Sequence, residues 1–173
     1  MKGGMKSVDE SQSENRKEQW LRFHERFTNG IPGLLPLVLD LPVRFTESPN
    51  KQAKNMGVFK HCRGVIRGWQ LPDDEKERVD QCTDPEVVLT KRPLHILIEV
   101  PTGSKEMPTA GGRKIYQLQV QCRQWCLDKA GAIKKLRHGF PIVPDFAGTA
   151  HAYCGTTLCL LYTSDAADEP KGV

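Results

Sequence analysis

The chain has 173 residues, 38% of them hydrophobic and 27% charged, and a formal net charge of +4, enough for one domain with a core or for part of a larger protein. So mild a charge permits an anionic partner without demanding one. No apolar run is long enough to span a membrane, and the polar, charged N-terminus carries no secretory signal, which sets aside membrane-spanning and secreted classes. The six cysteines, Cys62, Cys82, Cys122, Cys126, Cys154 and Cys159, therefore read as reduced thiols.

Residues 1–15 are polar, with Gly and Ser, and read as a disordered tail. Ser11-x-x-Glu14 offers a capping box, and Trp20, Phe23 and Phe27 at i, i+3 and i+7 predict one face of an amphipathic helix. Asn29-Gly30 ends that helix, and Ile31-Pro32-Gly33 forbids its continuation. Residues 37–46 read as a strand interrupted by Pro42, which implies an edge or a bulge. Residues 47–57 read as a polar loop.

The run Arg63-Gly64-Val65-Ile66-Arg67-Gly68-Trp69 predicts a turn and a strand, its glycines suited to tight turns. Arg63, Arg67 and Trp69 together could meet a nucleic acid by charge and stacking. The plainer alternative is a surface hairpin with Trp69 in the core. Asp73-Asp74-Glu75 follows Leu71-Pro72 instead of an apolar strand, so it predicts a solvated loop and not a magnesium box.

Residues 94–100 carry the strongest strand propensity. Residues 101–112 are a Pro-, Gly- and Thr-rich loop. Tyr116, Leu118, Val120 and Cys122 alternate with Gln117, Gln119, Gln121 and Arg123, which predicts a half-buried strand with one apolar and one amide-rich face. Cys122 and Cys126 have the spacing of half a zinc site, but no second ligand pair follows, and free thiols on a strand are the expectation. A turn at 129–131 returns the chain toward Ile133 and Leu136. Residues 111–140 carry seven Lys and Arg (Arg113, Lys114, Arg123, Lys129, Lys134, Lys135, Arg137) against Asp128, a local charge of seven minus one, +6. A phosphate backbone would feel that stripe only within about 8–10 Å; solubility alone is the bland account.

Residues 140–158 read Phe-Pro-Ile-Val-Pro-Asp-Phe-Ala-Gly-Thr-Ala-His-Ala-Tyr-Cys-Gly-Thr-Thr-Leu. Phe140, Ile142 and Val143 predict a buried strand, and the polar cluster after Pro144-Asp145 predicts a connection and a helix start. Such connections are where binding residues tend to sit. Thr149 and His151 could simply cap that helix, and a Cys154–His151 nucleophile pair is a second reading.

This stretch resembles motif V of PIF-type and RecD-like ATP-dependent DNA helicases. Pro141, Phe146, Ala147, Thr149, His151, Gly155, Thr157 and Leu158 match it in order, while Ala152 stands for the usual Lys and Cys154 for the usual Gln. Around it, Trp20-Leu21-x-x-His24 with Gly33-Leu34-Leu35-Pro36-Leu37, the strand at Pro42-Val43, Arg63 to Trp69, and Trp125-x-Leu127-Asp128 are similar to other parts of the family's second motor domain. The resemblance covers residues 17–158. It implies an α/β fold: a partial RecA-like second motor domain with an inserted small antiparallel β-barrel. The implied division is a tail at 1–15, the start of the motor domain at 16–69, the β-rich insertion at 70–139 and motif V at 140–158. Residues 159–173, polar and without a buried stripe, resemble the translation of a sequencing adapter and are expected to be a scar.

The resemblance further implies a parent that couples ATP hydrolysis to translocation on single-stranded DNA and to duplex unwinding. Thr149 and His151 would contact the strand, joined by Arg63, Arg67 and Trp69; Gly155 and Thr156 would sit at the nucleotide interface between motor domains. ATP and Mg2+ would serve the intact parent. The sequence has no Gly-x-x-x-x-Gly-Lys-Ser/Thr, so no cofactor, no catalytic residue and no ATPase activity are expected of this chain alone. The implied partners are single-stranded DNA and a preceding RecA-like domain of the same parent, with no membrane. The implied compartment is intracellular, nuclear in the first place and mitochondrial in the second. Two alternatives belong to other classes: a stand-alone single-strand-binding β module, and a mobile-element relic without function.

Overall fold

The computed structural model describes residues 18–127 and 133–145. The N-terminal tail with Ser11, the turn at 129–131, the remainder of the motif from Phe146 and the suspected scar lie outside the described residues.

The described chain is β-rich with short helices. Its strands are β1 (Pro42–Phe45), β2 (Arg63–Gln70), β3 (His95–Glu99), β4 (Thr109–Ala110), β5 (Arg113–Gln119), β6 (Gln121–Cys126), β7 (Lys134–Gly139) and β8 (Ile142–Pro144). Besides a helical stretch at residues 18–21, it has the α-helices α1 (Lys51–Asn55) and α2 (Asp73–Asp80). Six strands form one sheet in the order β4-β5-β3-β2-β1-β8, and β6 and β7 form a separate hairpin. Every pairing is antiparallel. Among the described residues the larger sheet is open, and three strands of the expected insertion, β3, β4 and β5, share it with β1, β2 and β8. Neither a closed barrel nor the parallel pairing of a RecA-like sheet is formed there.

One face of this sheet is the core. Val43 and Phe45 from β1, Ile66 from β2, Ile96 and Ile98 from β3, Tyr116 and Leu118 from β5, and Ile142 from β8 are buried together with Ala53 of α1 and Val58. The alternation of apolar and polar residues along β3 and β5 gives this directly, since neighbours on a strand point to opposite faces. Phe45 and Tyr116 meet edge to face with centroids 6.1 Å apart.

Several elements differ from their sequence expectation. The chain around Trp20 is helical only to residue 21, and a separate 3-10 turn spans Glu25–Phe27. The imidazole of His24 starts that second piece, its Nδ1 accepting from Arg26 N–H at 3.3 Å. Phe23 instead stacks on Trp125 of the hairpin at 5.4 Å, and Phe27 is 62% exposed, so the three aromatics do not share one face. Asn29 and Gly30 do close this segment in the left-handed region. Pro42 is the first residue of β1, a position that needs no N–H from it, and β1 is an interior strand.

Residues 47–57 are not all loop. Asn50 caps α1 through its side-chain oxygen, which accepts from Ala53 N–H at 2.7 Å. Asp73, Asp74 and Glu75 are the first turn of α2, where acidic side chains favour the positive end of a helix. Gly64 and Gly68 lie within β2 and make no turn. Finally, the alternation through Cys122 breaks at Val120. In β6 the inward positions become Gln121, Arg123 and Trp125, and Cys122 is exposed.

Candidate functional site

The outward face of the larger sheet carries a row of charges held by strand register. Arg44 and Arg63 are cross-strand partners on β1 and β2. Asp145, just after β8, meets both: its carboxylate is 3.5 Å from Arg44 Nε and 2.9 Å from Arg63 Nε. The side chain of Asp145 is only 5% exposed, whereas that of Arg63 is 46% exposed. Asp145 N–H also donates to Pro42 O at 2.9 Å, so the exit of β8 is fixed by main chain and side chain together.

Farther along β2, the register shifts between Ile66 and Gly68, which leaves Arg67 at a bulge. Arg67 Nε donates to Glu99 at 2.6 Å, and its Nη1 donates to Asp40. The hydrogen bond to Glu99, above all, raises the pKa of this guanidinium. Arg113 lies 3.9 Å from the same Glu99. The row is thus four arginines, Arg44, Arg63, Arg67 and Arg113, interleaved with Asp40, Glu99 and Asp145.

The bulge separates two of the residues grouped by sequence. Beyond it Trp69 pairs with Ile96 on the core face and packs against the core. Arg63 and Arg67 keep to the charged side, bound to Asp145, Glu99 and Asp40. Trp69, half-buried, therefore lies on the opposite face of the sheet from Arg63 and Arg67. Period-two spacing puts 63, 67 and 69 on one face; a single extra residue at 67 reverses that, and Gly68 beside it is the one residue type that hints at a bulge.

The basic stripe at 111–140 is also divided. Lys114 Nζ donates to Gly103 O at 2.5 Å. Arg123 turns inward. Lys135 lies over the Trp20 ring at 5.0 Å, and Arg137 over Trp125 at 5.3 Å. Arg137 also donates to the main-chain oxygens of Ile31 and Trp20, and burial lowers its pKa. These cations clamp the β6–β7 hairpin onto the N-terminal segment. Lys129 lies outside the described residues, as do Thr149, His151, Gly155 and Thr156.

The described residues contain no group of three or more His, Cys, Asp or Glu placed to hold a metal ion. In α2, Glu75 is committed to Arg78 at 2.6 Å and to the N–H and hydroxyl of Thr90 at 2.8 and 2.6 Å, while Asp74 pairs with Lys91. Cys62, Cys82, Cys122 and Cys126 are free thiols. Cys122 Sγ stands 3.5 Å from His138 Nε2 across the hairpin, a contact that only the pairing register reveals. No helix among the described residues is long and apolar enough to cross a membrane.

Comparison with known proteins finds no matching family model, no matching curated protein and no matching solved structure.

Proposed function

We propose that the chain is part of an ATP-dependent DNA helicase and contributes the single-strand-gripping portion of its second motor domain. The carrying observation is the ordered match of Pro141, Phe146, Ala147, Thr149, His151, Gly155, Thr157 and Leu158 to motif V. In this reading Asp145, held by Arg44 and Arg63, anchors the start of the motif to the sheet, and Thr149 and His151 meet the strand. Gly155 and Thr156 face the nucleotide interface of the parent, whose RecA-like core and β-barrel would be completed by chain beyond the described strands. ATP, Mg2+ and the preceding motor domain belong to that parent, and the reading places it in the nucleus or mitochondrion.

The stand-alone module is the second reading, favoured by the open antiparallel sheet with Arg63 and Arg113 exposed on its charged face. Fluorescence anisotropy with a labelled single-stranded oligonucleotide, measured across a salt series, separates the two. The module should bind by itself, with a log–log salt slope near −0.7 per phosphate contact, and lose affinity on Arg63→Gln. The motor piece should bind measurably only when joined to a P-loop-bearing domain, and then lose affinity on Thr149→Ala or His151→Ala. No binding by either form, at low salt, rejects both.

A further inference from the structure

The phase change at Val120 turns Arg123 inward, toward the segment between β1 and α1. There its Nη2 only grazes the main-chain oxygens of Ser48 and Pro49, each at 3.5 Å, and its Nε is buried with no acceptor among the described residues. A guanidinium carries five donors and a full charge. Buried donors without acceptors are costly, and partly buried charge calls for a counter-ion. Among the described residues no carboxylate forms an ion pair with Arg123.

Beside Arg123 opens a cavity of about 360 Å³ lined by Asn29, Glu47, Ser48, Lys54 and Arg123. That volume lies within the range of small-ligand sites, about 300–1,000 Å³. Its one acid, Glu47, is already engaged by Lys60 at 2.5 Å. Lys54, on α1, has no side-chain hydrogen bond or ion pair among the described residues. The lining thus offers the Lys54 ammonium and a guanidinium whose charge has no counter-ion among the described residues, while the Asn29 amide already donates to Gln124 O and the Ser48 hydroxyl to Val58 O. The geometry points to an oxyanion site: this cavity binds a phosphate group, with Arg123 as its principal ligand and Lys54 as the second cation. Arginine suits the role because its planar fork matches the oxygens of a phosphate. The phosphate is either free or a phosphodiester of a polynucleotide, and the site uses none of the residues assigned to DNA contact above.

The test follows the Arg123 Nε–Hε resonance by NMR in the full chain, titrated with inorganic phosphate, with a short single-stranded oligonucleotide, and with chloride at matched ionic strength. A saturable shift with phosphate, absent with chloride, is expected. Arg123→Gln should weaken phosphate binding at least about tenfold when binding is read from indole fluorescence. The exposed Lys54→Gln, which leaves the fold intact, should weaken it about threefold. Displacement of phosphate by the oligonucleotide identifies a backbone phosphate, and binding of phosphate without such displacement identifies a free one. Equal shifts with chloride and phosphate, or unchanged affinity in the Lys54→Gln and Arg123→Gln variants, overturn the proposal.

Discussion

Gly64 is fixed by contact, not by conformational freedom. A Cβ there would stand 2.5 Å from Ile98 Cγ2 and 2.7 Å from Glu99 O, on the core face between β1 and β3. Gly64→Ala should therefore overpack this face and lower stability by about 1–3 kcal/mol, read as a shift in the urea midpoint with an unchanged slope. Glu75 offers a second test. It is 2% exposed, and its pKa falls from 4.5 to about 2, first through the hydrogen bond from Arg78 and then through Thr90. A depressed carboxylate stabilises the fold fully above its unfolded value and ceases to do so as pH falls through the folded one. The stability difference between the wild type and Glu75→Gln should be constant above about pH 4.5 and close between there and about pH 2. A difference that stays flat to pH 2 would show that Glu75 is not held as described. Asp73-Asp74-Glu75 reads as solvated in sequence because the partner Thr90 is 15 residues away, and no local pattern reveals that pairing.

At the scale of elements, the strands β3 and β5 were legible because period-two alternation is enforced by burial on one face. Ile96, Ile98, Tyr116 and Leu118 are buried, while Gln117 and Gln119 are exposed. Two features were not. The bulge at Arg67 moves Trp69 to the core, and the break at Val120 exposes Cys122 and turns Arg123 inward. Both are shifts of a single residue, which reverse every side chain beyond them. The charged face was legible as residue types, yet its pairings depend on register. Asp145→Asn should remove the shared counter-ion of Arg44 and Arg63 and cost about 1–2 kcal/mol, with faster amide exchange in β8 than in β3 as the local signature. Ile98→Ala, at the centre of the core face, should cost about 2–5 kcal/mol and loosen β2, β3 and β5 together.

For the whole molecule, the motif that suggests a motor and the sheet that surrounds its entry make separate predictions. The purified chain should hydrolyse no ATP with or without DNA, in a coupled phosphate-release assay; DNA-stimulated turnover would contradict the reading given above. The sheet itself has a consequence for synthesis. β1 is hydrogen-bonded on one side by β2 and on the other by β8, which follows it by about a hundred residues. At a ribosomal pace of about 5–20 residues per second, β1 would leave the exit tunnel several seconds before its second neighbour exists. Nascent chains stalled before residue 142 should accordingly carry an open, adhesive strand margin, a natural target for ribosome-bound chaperones, and emergence of β8 should be what seals it.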